Sequence, residues 1–331
     1  MSKKRALFIG IGFYDYEESI KQELIKLNFE VDYFSEVPPN TIKYRFYSRR
    51  NNLEKLDQIR NEHAVEVAKK CREDYDFVFI IKAEYLSVGA LEIIKKKNSQ
   101  AKFVLYLWDS LARFPVIKSK FSFFDKIYSF DRLDCLAEKD LVFNPLFFRE
   151  EYANSGEQHE EKYGIYHLGW CHTNRLALIK KVTDFCDNND ITHKMVLFTG
   201  KFSYVFQSMF GGELKGNRKF LIFDSISATQ NRDYVAESKS TLDIAHAMQS
   251  GLTMRTIELL GMQRKIVTTN KDIINYDFYH PDNVLVIDRD EPILNKAFFE
   301  SDFHPISQDI VNQYSIENWL ERMMNLEIDQ D

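Results

Sequence analysis

A chain of 331 residues is long for one hydrophobic core and points to about two domains, and its 44% hydrophobic and 28% charged residues exclude disorder as the default. The net charge of −6 is unevenly spread: the first 150 residues carry 26 Lys+Arg against 23 Asp+Glu, the remainder 18 against 27. The acidic second half argues against a nucleic-acid partner, whereas the mildly basic first half tolerates an anionic membrane surface or a phosphorylated acceptor.

No stretch reaches the roughly 18 uncharged apolar residues that a membrane helix requires, and Met1-Ser2-Lys3-Lys4-Arg5 runs straight into a strand-like segment. Cys71, Cys135, Cys171 and Cys186 show no CxxC spacing and read as reduced thiols. The expectation is a cytoplasmic protein without a signal peptide.

In chain order, Ala6 to Gly10 reads as a buried strand, Glu17 to Leu27 as a helix and Phe29 to Phe34 as a second strand. A basic and aromatic loop, Lys43 to Arg50, precedes a long helix to about Arg72. Strands at 77–81 and 103–107 flank a helix ending in Lys95-Lys96-Lys97, and 126–130 supplies another strand. The polar run 149–162, REEYANSGEQHEEK, reads as a linker. Strands then recur at 163–168, 195–198, 220–223, 241–244, 266–268 and 284–287, and a last helix spans about 315–326 with Trp319. Strands alternating with helices predict an α/β fold of two Rossmann-like domains, 1–150 and 163–312, with 313–331 as a closing helix.

Several turns are candidates for chemistry. Gly10-Ile11-Gly12 with Asp32 twenty residues beyond Gly12 begins like a dinucleotide fingerprint, but Asp15 occupies the third glycine position, where its charge opposes a pyrophosphate. Lys82 and Glu84, and again Asp109 and Arg113, fall just past strand ends, where ligands gather in open α/β sheets. Asp109 equally suits the cap of a following helix with Arg113 as its ion-pair partner. The Asp-x-Asp pairs 74/76, 288/290 and 329/331 read as ordinary charged turns and a tail. The eight histidines have no metal-ligand spacing, so no metal site is expected. Residues 114–124, FPVIKSKFSFF, suit a membrane interface or, more simply, a packed helix face.

In the second half, Gly169-Trp170-Cys171-His172-Thr173-Asn174-Arg175 follows a strand, and Arg175 at a helix start reaches toward a phosphate position. Thr199-Gly200-Lys201 is placed likewise. The most informative stretch is 234–288. There a strand at 239–244 leads through a polar loop, Gln249-Ser250-Gly251-Leu252-Thr253, to a helix from Met254 to Leu260 with Thr253 as N-cap and Gly261 as C-cap, then to a strand at 265–269. The free amides and dipole of that helix start would receive an anion, with Arg255 adding a guanidinium. Glu258, three residues on, either accepts two hydroxyls, as from a ribose, or pairs with Arg255 on the surface.

The run SKSTLDIAHAMQSGLTMRTIELLGMQRKIVTTN, with Tyr276-Asp277-Phe278-Tyr279 after it, resembles the nucleotide-sugar-binding half of bacterial GT-B glycosyltransferases of capsule and lipopolysaccharide assembly, related to the spore-maturation type. The resemblance is good over about 160–290 and looser before. It implies two domains gripping a ligand in an interdomain cleft and a nucleotide sugar as substrate, with no cofactor and no metal. The acceptor would be a cell-surface glycan or a lipid-linked one at the inner membrane face. On these residues it gives Glu258 the ribose and places Gly200, Lys201, Ser238, Lys239, Gln249, Gly251, Thr253, Arg255 and Arg175 around the donor. Gly12, Lys82 and Arg113 fall on the acceptor side, and Asp109, or else Glu84, becomes the base of an inverting transfer. Retaining relatives carry a second glutamate eight positions before the ribose-binding one in this register, where this chain has Ser250. An epimerase or hydrolase of the same fold, or a non-catalytic nucleotide-sugar-binding protein, satisfies the same spacing.

Overall fold

The computed structural model describes residues 3–12, 15–154, 156, 159–171, 175–209, 212, 214, 216–246 and 248–324. Phe13, Tyr14, His172, Thr173, Asn174, the 329/331 aspartates and the part of the expected last helix that falls after Met324 lie outside them. The chain divides into two compact units, Met1–Pro145 with Met248–Gly251 and Ile316–Asp331, and Leu146–Ala247 with Leu252–Ser315.

Each unit is a Rossmann-like domain built on a six-stranded parallel sheet. The first sheet holds β1 (Lys4–Gly10), β2 (Phe29–Ser35), β3 (Phe77–Ile81), β4 (Lys102–Leu107), β5 (Lys126–Ser129) and β6 (Leu141–Phe143), in the order β2-β1-β3-β4-β5-β6. Its central strands Phe77–Ile81 and Phe103–Leu107 are buried throughout because helices cover both faces, which is why they read as unbroken apolar runs. The second sheet holds β7 (Tyr163–Trp170), β8 (His193–Phe198), β9 (Leu221–Ile222), β10 (Ser238–Asp243), β11 (Lys265–Thr268) and β12 (Val284–Val286), in the order β12-β11-β10-β7-β8-β9. In such sheets ligands bind outside the carboxyl ends of the strands where the order reverses. Those points are β1/β3 in the first domain and β7/β10 in the second.

Four local expectations change. Residues Ile42–Arg49 are a helix rather than a loop, started by the Thr41 hydroxyl accepting from Tyr44 N at 3.1 Å. Strand β6 was not foreseen, since three residues carry too little pattern. No helix starts at Asp109, which caps nothing; the following apolar run is a 3-10 helix, Pro115–Phe123, whose Lys120 is buried. Gly261 belongs to the helix Met254–Gly261, and the left-handed residue that ends it is Gln263, at φ 50°. Glycine is needed at 261 for space, because a Cβ there would stand 2.7 Å from the Tyr152 carbonyl and 2.6 Å from the Phe148 ring.

Among the described residues no helix is long and apolar enough to cross a membrane. The helix Ile316–Met324 completes the first domain. Trp319 is fully buried edge-on against Tyr106, with ring centroids 4.9 Å apart, and against Phe79 at 5.9 Å. Asn144 ties the same helix down by donating to the Trp319 carbonyl at 3.2 Å and accepting from Arg322 Nε at 2.8 Å. Trp319→Ala should therefore cost about 3–5 kcal/mol in urea unfolding, and Trp319→Phe clearly less; an unchanged midpoint in the alanine variant would show that the helix does not anchor the domain.

Candidate functional site

The second domain gathers three guanidinium groups at the carboxyl edge of its sheet. Arg175, the first residue of the helix Arg175–Asn188, donates to the carbonyls of Ile244, just past β10, at 3.3 Å and of Trp170, at the end of β7, at 3.4 Å. Arg289, just past β12, donates to the Ala245 carbonyl. Arg255 stands in the first turn of Met254–Gly261. Burial holds the Arg175 pKa below the ordinary arginine value, and the charges of Arg255 and Arg289 lower it further, against the opposing pull of Asp243.

Asp243 organises that edge. It is buried at the end of β10, where its Oδ2 accepts from the hydroxyls of Thr253 at 2.8 Å and Thr256 at 2.7 Å. Thr253 Oγ1 in turn accepts from Thr256 N at 3.2 Å, so the N-cap is fixed to the strand end that the switch point demands. Beneath lies His167, fully buried in β7. Its Nδ1–H donates to the Leu242 carbonyl at 2.8 Å, which leaves the lone pair on Nε2, and that atom is without a hydrogen-bond partner among the described residues. Gly169 makes room here, since a Cβ would lie 2.7 Å from His167 Nε2 and 3.2 Å from Arg175 Nη1.

Glu258 is nearly buried one turn beyond Arg255, and its charge, after burial itself, helps push the Tyr152 phenol up to about 12. Other expected donor residues are dispersed. Ser238 and Lys239 stand at the amino end of β10, roughly 13–16 Å along the strand from Asp243, where Ser238 donates to Tyr234 O and Lys239 to Glu300 O. Lys201 is exposed beside Asp224 at 3.5 Å, and Gly200 precedes it. Gln249 and Gly251 belong to the first unit. The Gly251 amide donates to Asp131 at 3.0 Å, the Ser250 amide to the same oxygen at 3.1 Å, and the Phe130 ring fills the space of a Gly251 side chain. The anion seat predicted for the Gly251 amide is thus taken by an internal carboxylate.

The same happens at the Gly10-Ile11-Gly12 turn. Glu17 Oε1 accepts from the amides of Ile11 and Gly12, the latter at 2.6 Å, and its other oxygen accepts from the Tyr33 hydroxyl. Asp32 is held by Tyr75 Oη at 2.6 Å and Arg72 at 2.9 Å. The groups that a dinucleotide would use are already paired.

Beside this turn, past β3 and β4, the first domain assembles all four of its expected polar residues. Lys82 Nζ lies 2.8 Å from Glu84 and 3.0 Å from Asp109, and Arg113 pairs with Asp109. Burial opposes the Lys82 charge, but hydrogen bonds to the two carboxylates outweigh it and hold its pKa above the ordinary lysine value. The ammonium also sits 4.4 Å from the Phe114 ring centre. Lys82 and Ala83 both adopt left-handed φ, 70° and 51°, at a cost on the order of 1–3 kcal/mol each. Buried Glu36 accepts from the amides of Glu84 and Tyr85 at 3.1 and 3.3 Å, and buried Lys120 donates to the carbonyls of Ala83 and Glu84 at 2.6 and 3.2 Å. Burial raises the Glu36 pKa to about 8. Glu36, Lys120, His167 and Arg289 escaped sequence reasoning because each joins segments 36 to 75 positions apart, and Glu17 and Asp243 because their partners lie 5 to 16 positions away across a turn, at no helical or strand spacing.

No family model matches this chain, and no curated protein does. Solved structures do. Anabaena Alr3699/HepE in complex with UDP and glucose is similar over 97% of this chain and 98% of its own, at 10% identity and TM-score 0.61. The catalytic domain of Starch Synthase IV from Arabidopsis thaliana, bound to ADP and acarbose, is similar over 98% and 96%, at 8% identity and TM-score 0.55. At these identities the likeness shows the fold, two Rossmann-like domains.

Burial lowers the His167 pKa to about 3, and the charges of Arg255 and Arg175 push the same way. The unfolded chain takes up this proton near pH 6.5, the folded chain only near 3. The stability His167 contributes is therefore complete above pH 6.5 and lost as the pH falls toward 3. His167→Asn keeps a donor for Leu242 O without the titration. Its melting temperature should fall less than that of the parent between pH 6.5 and 4; parallel losses would mean that another group carries the acid sensitivity.

Proposed function

We propose that this protein is a glycosyltransferase that moves a sugar from a nucleotide-sugar donor to a cell-surface polysaccharide or lipopolysaccharide acceptor, without a metal ion. The observation that carries this reading is the convergence of Arg175, Arg255 and Arg289 on the switch point of the second sheet. Three like charges in a half-buried place repel one another, and a diphosphate would relieve that repulsion while accepting bidentate bonds. In the reaction the same cations would offset charge gathering on the departing nucleoside diphosphate, the task a metal performs elsewhere. Glu258 would accept the ribose hydroxyls.

The acceptor belongs to the first domain, which would work on the cytoplasmic side of the membrane. A carboxylate takes the proton of the acceptor hydroxyl, the oxygen bonds to the anomeric carbon, and the bond from that carbon to the diphosphate breaks. Asp109 is engaged by both Lys82 and Arg113, Glu84 by Lys82, so Glu84 gives up less to become the base. UDP and ADP in the similar structures suit a nucleoside diphosphate leaving group.

The test is a thermal-shift and calorimetric screen against UDP, GDP, ADP, CDP, CMP and NADH. One nucleoside diphosphate should raise the melting temperature through linkage. Arg255→Ala and Glu258→Ala should each weaken it by about tenfold or more, roughly the loss of one charge-assisted contact. With donor and acceptor supplied, Glu84→Gln should lower kcat by about 10²–10⁴ without altering donor affinity, and more than Asp109→Asn does. Binding of NADH alone, or of no nucleotide, would overturn the reading; donor binding without turnover on any acceptor would make the protein a binder.

A further inference from the structure

At the amino end of the second sheet, two histidines and an aspartate far from the arginine cluster come together. His280 and Asp282 lie in the turn that opens β12, and His304 lies in the segment after the helix Lys296–Glu300. One atom of each lies within 4.8 Å of one atom of each of the others, and His280 Nδ1 is 3.6 Å from Asp282 Oδ2. Around a tetrahedral ion with bonds of about 2.0–2.1 Å, neighbouring ligand atoms stand roughly 3.3–3.4 Å apart. The His280–Asp282 edge already has nearly that length.

The trio is held in place by one residue. Asn283 is buried, with its side-chain oxygen accepting from His304 N and its side-chain nitrogen donating to His304 O, both at 2.7 Å. Its backbone closes the His280 turn by donating to His280 O at 3.0 Å and joins the sheet by accepting from Ile266 N at 2.8 Å. Both histidines are thereby set against each other before anything binds. Their rings stack with centroids 3.8 Å apart and planes 6° apart. His280 Nδ1 accepts weakly from Asp282 N at 3.3 Å, so its lone pair lies on the side of the carboxylate. Two imidazole nitrogens with one carboxylate oxygen suit ions of the zinc class and are poor ligands for Mg²⁺ or Ca²⁺, which prefer all-oxygen sets.

We propose that His280, Asp282 and His304 bind one divalent transition-metal ion, Zn²⁺ or a similar ion, with water completing the coordination. One ring turns about its Cβ–Cγ bond to leave the stack and converge on the ion. The ion would staple the segment around residue 304 to the turn that opens β12, at the opposite end of the sheet from the proposed donor site.

The experiment uses the untagged full chain stripped with chelator and titrated calorimetrically with ZnCl₂ and, separately, MgCl₂. Expected are one Zn²⁺ per chain, no Mg²⁺ binding, a melting temperature raised by Zn²⁺, and the visible bands of tetrahedral Co²⁺ on cobalt loading. His304→Ala and Asp282→Asn should each weaken Zn²⁺ by about tenfold or more, as loss of a direct ligand should cost at least what loss of its supporting partners does. His280→Ala/His304→Ala should abolish saturable binding while circular dichroism stays that of the parent. Absence of saturable Zn²⁺ binding, or affinity undiminished in the double variant, overturns the proposal. Neither result depends on glycosyl transfer.

Discussion

The contact on which the proposed donor site rests is the buried carboxylate of Asp243 accepting from the hydroxyls of Thr253 and Thr256. A charge buried at a strand end would be costly alone. Here two hydroxyls satisfy it and Arg175 balances it. The arrangement fixes the first turn of Met254–Gly261 against the carboxyl end of β10, and Arg255 with it. A neutral substitute at 243 would release that helix start and also leave Arg175 among like charges. Fold and the proposed function would thus be coupled through one side chain, because what orients the helix also balances the cation that the proposed ligand would meet.

The same device, a carboxylate placed on backbone amides, has the opposite consequence elsewhere. Glu17 fills the Ile11–Gly12 turn, and Asp131 fills the Ser250–Gly251 turn. Both turns have the glycine and the backbone amides that an external anion would seek, and in both those amides are satisfied from within. The β7/β10 edge differs in its electrostatics: Arg175 there meets the like charges of Arg255 and Arg289 against the opposing charge of Asp243, and the histidine beneath them is kept neutral.

This explains which features were legible in the sequence. The alternation of strand and helix follows from local periodicity, and the Thr253 cap and the positions of Lys82, Glu84, Asp109 and Arg113 past strand ends follow from local spacing. The strand order places all four together. By contrast, the carboxylates that hold the backbone of two of these turns are non-local. Asp131 reaches residues 119 and 120 positions away, and Glu36 reaches Glu84 at a separation of 48. His280 and His304 show no ligand spacing because Asn283, not a helix face, brings them together. Gly261 looked like a cap since caps are the common use of glycine at a helix end, whereas close approach to Phe148 and Tyr152 is visible only in three dimensions.

The strained turn after β3 shows how far such support extends. Lys82 and Ala83 hold left-handed conformations without glycine's freedom, so neighbouring groups must make the alternatives worse. Glu36 binds the amides on one side of the turn, and Lys120 binds the carbonyls. Both are charged types with almost no access to water, and burial opposes the charge of each. Relaxing the turn would strand either group without its partners, which costs more than the backbone strain does. The strain therefore persists, and it keeps the Lys82 ammonium between Glu84 and Asp109, where a mobile loop would let it swing into solvent.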